Sequence, residues 1–379
     1  MRVLQVSSIY YPELKFGGPP EKIHRLGVGL RRYGYDVSVV TFHSEQPRLR
    51  ERRMCDNISV QYVPWIGQGL RQFPVAPQLV TAAVASADIV HCYGLYNLLC
   101  PLASRAAARR GIPYIVEPQG MYVPRVRRLL LKHVYHWLYT RPMVRGAAAV
   151  VATSPQEWQE LAPLVPAVKL QLRRNGIEIE RFRALPAPDI FRRRFKLAHE
   201  VPIVLFIGRL SPIKNLAMLI EAFAALSDPA VLVLAGPAES DYEIELRRAM
   251  RQYGIGDRVI FTGPLYDEEK LAALAAAKLV VLPSLMESYG NAAAEAVAAG
   301  VPVLVTETCG IAPQIHRRAG LAVPVERSAL ADGLRRLLQD PVETAELTRR
   351  RSEVCAELGW DEPTRKMAAI YKLLAGRRD

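Results

Sequence analysis

Residues 282–305 read LPSLMESYGNAAAEAVAAGVPVLV, and their order of apolar run, polar loop, small-residue stretch and second apolar run decides the fold. The run Leu279 to Leu282 predicts a buried strand that ends at Pro283-Ser284. A short loop carrying Glu287 follows. A helix is expected to open near Gly290, to hold Glu295 on its second turn and to stop at Gly300, before a strand from Val301 to Val305. Ala292, Ala293, Ala294, Ala296, Ala298 and Ala299 keep that helix slim enough for a ligand to approach its backbone. The N-terminus of a helix presents N–H groups and the positive end of its dipole, an arrangement suited to phosphate. One carboxylate in the loop and one on the helix can then hold hydroxyls on either side of a bound diphosphate, which is the layout of a nucleotide-sugar. Taken alone, the stretch reads equally well as an amphipathic αβ unit with two surface glutamates.

The turn GRLSPIKN adds a second feature of the same kind. Gly208 ends the apolar run Ile203 to Ile207, Arg209 follows at once, and Lys214 stands at the start of a helix. Two cations at the C-terminal end of a strand are costly unless they meet an anion, and open parallel sheets bind ligands at that edge. A surface arginine and a helix-start lysine are the plain alternative. The spacing of Glu287 and Glu295, taken with Arg209 and Lys214, weighs against it.

Outward from these turns the whole chain alternates strand and helix. The second half adds a helix over 214–226, strand Val231 to Ala235, a helix over 241–253, strand Val259 to Thr262 and a helix over 267–277. The first half opens with strand Val3 to Ser7, then Gly17-Gly18, where a turn meets no Cβ, and Pro19-Pro20 at the start of a helix over 20–33. Strands at Asp36 to Thr41, Ile58 to Val63, Asp88 to His91, Tyr114 to Val116 and Ala148 to Ala152 follow, with helices near 97–110 and 124–140. Such alternation implies parallel, doubly wound α/β sheets. At 379 residues the chain exceeds one ordinary core, so two domains are expected. The run RFRALPAPDIFRRRFKLAHE, rich in Pro and Arg and without a strand, is expected to link residues 1–185 to residues 186–359. The tail 360–379, helical from Trp360 to Ala375, is expected to pack back on the first domain.

Half the residues are hydrophobic and 23% are charged, which describes a globular protein, and no apolar run reaches the roughly 18 residues of a membrane span. The opening MRVLQVSSIYYP reads as a first strand and not as a signal peptide. The cysteines Cys55, Cys92, Cys100, Cys309 and Cys355 form no CxxC pair and suit a reduced, cytoplasmic setting. The net charge of +13 lies entirely in the first half, with 25 Lys/Arg against 12 Asp/Glu in residues 1–185 and 25 against 25 beyond. Between Glu117 and Glu157 there is no acid but six bases: Arg125, Arg127, Arg128, Lys132, Arg141 and Arg145. An acidic partner is expected for this half, whether an anionic lipid surface, a phosphorylated acceptor or nucleic acid. The helix expected near 124–140 has Val126, Leu129, Leu130, Val134, Trp137 and Leu138 on one side and Arg127, Arg128 and Lys132 on another. It either packs its apolar side inward or, with the rest of 124–145, lies on the anionic inner face of the plasma membrane. The aromatic-interleaved pattern of single-strand binders is missing, so nucleic acid is not expected. GVGLRR lies within the first helix and is no GxGxxG turn, which argues against NAD.

Taken together, GxLxxxK after a strand and E-S-Y-G-x4-E-A-x-A-x-G-x-P-V resemble family 4 of the retaining, two-domain (GT-B) glycosyltransferases. Asn175-Gly176-Ile177-Glu178 is similar to that family's N-G-I/V-D/E turn, and Gly17-Gly18 to its first-domain glycine loop. The resemblance covers nearly the whole chain. It implies two Rossmann-like domains facing each other across a cleft, and transfer of a hexose-type sugar from a nucleotide donor with its anomeric configuration kept. It also implies that Arg209 and Lys214 hold the diphosphate, Glu295 the ribose hydroxyls and Glu287 the sugar, so that Glu287, Arg209 and Lys214 carry catalysis. Gly17, Gly18, Gly208, Ser288, Tyr289, Gly290 and Asn291 complete the donor site. The acceptor is expected to be a glycan or lipid-linked sugar. Many members carry His-x-His where this chain has His91-Cys92-Tyr93, and Pro-His-Gly where it has Pro118-Gln119-Gly120. His91, Tyr93 and Gln119 are therefore the candidates on the acceptor side, and Tyr93 and Gln119 are poor bases near neutral pH. His91 serves equally well as the closing residue of a buried strand. No Asp-x-Asp occurs, so neither a metal nor any other cofactor is expected. The alternative from another class is a non-catalytic nucleotide- or nucleic-acid-binding protein on the same fold.

Overall fold

The computed structural model describes residues 1–13, 18–67, 72–122, 133–227, 229–239 and 241–376. The chain forms two compact units, Met1–Gly176 with Trp360–Asp379, and Ile177–Gly359.

In chain order the strands of the first unit are β1 (Arg2–Ser7), β2 (Asp36–Thr41), β3 (Arg52–Cys55), β4 (Ile58–Tyr62), the short pair β5 (Trp65–Ile66) and β6 (Phe73–Pro74), β7 (Ile89–Tyr93), β8 (Tyr114–Glu117), β9 (Ala149–Ala152) and β10 (Leu170–Leu172). Eight of them make one sheet in the order β10-β9-β8-β7-β1-β2-β4-β3. All its pairs are parallel except β3 with β4. That hairpin, not expected from the sequence, turns on Asp56-Asn57, both at positive φ, the two-residue turn that matches strand twist. One face of the sheet packs under the helices Pro19–Arg32 and Asp361–Ala375, whose Ile23, Leu26, Leu30, Met367, Tyr371 and Leu374 share a core with Val3, Val37 and Ile89. The C-terminal helix thus returns to the first unit.

The second unit contains β11 (Ile203–Ile207), β12 (Val231–Ala235), β13 (Val259–Gly263), β14 (Leu279–Leu282), β15 (Val303–Thr306) and β16 (Gly320–Val323). They form one sheet in the order β13-β12-β11-β14-β15-β16, parallel throughout. Its central strands are nearly continuous apolar runs, as expected of parallel strands buried on both faces. Chain progression reverses direction between β11 and β14, the point at which open α/β sheets bind ligands.

The expected linker is corrected. The chain divides after Gly176, ahead of the 185/186 boundary, and the Pro- and Arg-rich run belongs to the second unit. Phe182 and Phe191 are buried in that unit's core. Arg181 pairs with Asp267 at 2.5 Å and Arg194 with Glu269, while Arg192 donates to the carbonyls of Ala198, Val201 and Ala276. Composition suggested an interdomain linker, but its arginines serve as ties and its phenylalanines as anchors.

Of the basic helix expected near 124–140, residues 124–132 lie outside the described residues, and with them Val126, Arg127, Arg128, Leu129, Leu130 and Lys132. The chain is helical from His133 to Gly146, with a π-helical turn over His136–Thr140. Here Val134, Trp137 and Leu138 are exposed, Trp137 by 67%. No helix of the described residues is long and apolar enough to cross a membrane.

Candidate active site

At the end of β11 the backbone turns through Gly208 and Arg209 beside the end of β12. Gly208 N–H donates to Ala235 O, Leu210 N–H to Pro237 O and Glu239 N–H to Leu210 O, all within 2.9 Å. The two loops run so close that a Cβ on Gly236 would meet Gly208 O at 1.8 Å, so only glycine fits there. This clamp fixes where Arg209 leaves the sheet. Arg209 is exposed and makes no ion pair among the described residues. A short 3₁₀ turn, Pro212–Lys214, then brings Lys214 back across the strand ends.

Leu285 N–H donates to Ile213 O at 2.9 Å, joining this turn to the loop after β14. Across the junction the Lys214 ammonium pairs with the Glu287 carboxylate, both side chains largely sheltered from water. Glu287 is itself held by its backbone, with N–H to Thr308 O at 3.3 Å and Gly310 N–H to Glu287 O at 2.9 Å. Tyr289 is buried and accepts Ile311 N–H at 2.7 Å, while Ser288 is half-buried. Gly290 takes φ 107° as the N-cap of the helix Asn291–Ala298, and a Cβ there would meet Ile311 Cγ2 at 2.9 Å. No side chain among the described residues caps that helix, so its first turn keeps N–H groups for an anion. Ser211 and Ser284, at the ends of β11 and β14, are buried with hydroxyls that find no partner among the described residues.

Glu295, one turn further on, is paired through Oε1 with Lys270 Nζ at 2.9 Å. Sequence reading overlooked Lys270, which is separated from Glu295 by a strand and a loop. It also overlooked Cys309, a buried neighbour of the Glu287 backbone whose thiol burial pushes up to about 11, leaving it un-ionised. Among the described residues no group of three or more His, Cys, Asp or Glu is placed to hold a metal ion.

The candidates in the first unit fare differently. Gly17 lies outside the described residues, and Gly18 caps the helix Pro19–Arg32. His91 and Tyr93 are fully buried, and for His91 this is the buried-strand alternative that the sequence left open. Tyr93 and Tyr371 hydroxyls lie 3.0 and 2.8 Å from His91 Nδ1, and Gln5 Nε2 donates to Tyr93 at 3.1 Å. Burial, with the charge of Arg173, holds His91 well below its usual range, so the ring is neutral, and burial pushes the Tyr93 phenol up. These residues join the C-terminal helix to the sheet. Gln119 is half-buried at φ 57° in a loop fixed by Glu157, which accepts N–H groups from Gly120 and Thr153 and the Thr153 hydroxyl. Burial raises the Glu157 carboxyl above its usual range.

A parallel sheet with a cationic turn, a helix N-terminus and two carboxylates at its crossover defines an α/β protein of the doubly wound class. Comparison with known proteins extends this. Residues 17–199 match the glycosyl transferase 4-like domain and residues 189–353 the glycosyl transferases group 1. The chain belongs to the group 1, family 4-type glycosyltransferases. It is 28% identical to 2-deoxystreptamine glucosyltransferase of Streptomyces kanamyceticus, across 77% of this chain and 79% of that protein. It is 26% identical to the GDP-mannose:cellobiosyl-diphosphopolyprenol alpha-mannosyltransferase of Xanthomonas campestris, across 80% and 78%. Sucrose-phosphate synthase from Thermosynechococcus elongatus superposes with a TM-score of 0.81 over 99% of both chains at 23% identity. HepE from Anabaena, solved with UDP and glucose, gives 0.75 over 98% of this chain and 99% of that one at 20% identity. The architecture is GT-B, with two Rossmann-like units.

Proposed function

We propose that the protein is a retaining, metal-independent glycosyltransferase that moves a hexose from a nucleotide-sugar to a glycan or lipid-linked acceptor. On this reading it works in cell-surface polysaccharide or glycolipid synthesis at the cytoplasmic face of the membrane. The observation that carries the reading is the Lys214–Glu287 pair at the crossover between β11 and β14, with Arg209 beside it and unpaired among the described residues. A diphosphate draws Lys214 away from Glu287 and onto its own oxygens, and Glu287 is released to accept hydroxyls of the sugar. Arg209 supplies the second cation, and Glu295 receives the ribose hydroxyls. The acceptor oxygen bonds to the anomeric carbon on the face from which the diphosphate leaves, and a leaving phosphate oxygen takes the acceptor proton. Cations fixed on the leaving group stabilise that charge, and no side-chain base is required. Two relatives, described with GDP-mannose and with UDP-glucose, support a nucleoside-diphosphate sugar as donor.

Calorimetric titration with UDP, ADP and GDP in EDTA tests this site. Arg209→Ala and Lys214→Ala are each expected to weaken the best-bound nucleotide by roughly 1.5–3 kcal/mol, the worth of a charged hydrogen bond. Unchanged affinity in both variants takes the diphosphate off this turn. Transfer that stops in EDTA and returns with Mg²⁺ or Mn²⁺ overturns metal independence.

Recruitment to anionic lipid rests on the exposed Val134, Trp137 and Leu138 with Arg141 and Arg145, also exposed, on the following turns. Each base near an anionic surface adds about 1 kcal/mol, and salt screens the attraction within about 8 Å. Wild type is expected to sediment with anionic vesicles at low salt and to be released at high salt. Trp137→Ser/Arg141→Glu/Arg145→Glu should remain in the supernatant. Equal binding to neutral and anionic vesicles, or none to either, removes the membrane from the proposal.

A further inference from the structure

The helix Asp267–Ala276 opens with Asp267, Glu268 and Glu269 and then presents Lys270. Two of the three acids are tied outward, Asp267 to Arg181 and Glu269 to Arg194, which anchors this first turn to the segment that follows Gly176. Lys270 points the other way. With three acids immediately before it in sequence, its ammonium is placed on Glu295, 25 residues on, at 2.9 Å. The two side chains are only 17% and 16% exposed, so the contact is no solvated surface pair. It engages Glu295 Oε1, and Oε2 has no partner among the described residues.

Resting on the donor site proposed above, we infer that Lys270 is a positioning residue for the donor's ribose, acting through Glu295, and that it sets a preference for ribonucleotides over 2′-deoxyribonucleotides. The first reason is orientation. A carboxylate on a slim alanine-rich helix has several rotamers, and ordering it on binding costs entropy. Lys270 fixes Oε1 beforehand and leaves Oε2 for a hydroxyl of the sugar. The second reason is charge. Glu287 and Glu295 are both anions beside a site for a diphosphate, and each brings its own ammonium, Lys214 and Lys270. With Arg209 the five groups carry one net positive charge; without Lys270 they carry none, which disfavours an anionic ligand.

The test titrates wild type, Lys270→Met, Lys270→Arg and Glu295→Ala with UDP, ADP and GDP and with their 2′-deoxy counterparts. Wild type is expected to prefer the ribo form of its best nucleotide by about tenfold, the scale of one hydrogen bond to a charged group. Lys270→Met should lose most of that ratio, with the deoxy form weakened far less than the ribo form, and Lys270→Arg should keep much of it. Lys270→Gln replaces the methionine variant if that one unfolds. A lysine that only braces the helix would weaken both forms equally and leave the ratio intact, which overturns the inference. If Glu295→Ala abolishes the ratio and Lys270→Met does not, the inference fails alone. If neither variant changes ratio or affinity, the donor-site reading fails with it.

Discussion

Glu287→Ala is expected to reduce sugar transfer by on the order of 10²-fold or more while nucleoside diphosphate affinity is kept or slightly raised. A carboxylate that orients the sugar and faces developing charge acts on the transition state, and effects of that size accompany its loss. The diphosphate gains because Lys214 no longer has a carboxylate to leave before it can bind phosphate. Steady-state turnover with the preferred donor measures the first effect and calorimetry with the matching diphosphate the second. Glu287→Gln keeps the shape and removes the charge, and should fall between wild type and alanine. Turnover by Glu287→Ala at the wild-type rate would remove this residue from catalysis and leave its pairing with Lys214 as a structural tie.

Arg173→Met should destabilise the first unit by about 3–5 kcal/mol, the cost of stripping one partner from a buried ion pair. Arg173 and Glu117 are 1% and 2% exposed and bonded at 2.6 Å, with His91 Nε2 3.6 Å from the same carboxylate oxygen. Removing the guanidinium leaves Glu117 buried beside a neutral imidazole and two phenols. Hydrogen exchange of amides in β7 and β8 should accelerate by several hundredfold or more, and that of β11 and β14 should not change. Arg173→Met/Glu117→Gln removes both charges and should recover a large part of the loss. Protection in β7 and β8 equal to wild type would mean that the pair contributes nothing net. The same cluster explains why the helix Asp361–Ala375 belongs to the first unit, since its Tyr371 hydroxyl shares His91 Nδ1 with Tyr93.

The parallel α/β class and most of its central strands were legible in the sequence because each depends on neighbours close along the chain. Apolar runs of four or five residues became β11, β12 and β14 to the residue, and β15 starts two residues later than expected. Gly290 and Gly300 both take positive φ, as the expected start and stop of the helix between them require. The motifs after β11 and β14 fall on adjacent strands at the sheet's crossover, an adjacency that the E-x7-E and GxLxxxK spacing anticipated through family resemblance.

What the sequence by itself determined was this local grammar: two doubly wound units, a cationic turn, a slim helix and the carboxylates Glu287 and Glu295. What only the tertiary structure decided was the use of charges whose partners lie far along the chain. The arginines of 181–194 read as linker charge until Asp267 and Glu269 appeared beside them. His91 and Tyr93 stood as acceptor-side candidates, with a buried-strand role left open for His91, until the C-terminal helix covered them with Tyr371, 280 residues from His91. Lys270 drew no notice in the sequence, and only the packing of its helix brought it within reach of Glu295. In each case the identity of the side chain permits many partners, and the one it takes is settled by burial, because a charge or hydroxyl withdrawn from water must find a counterpart in whatever the fold brings beside it.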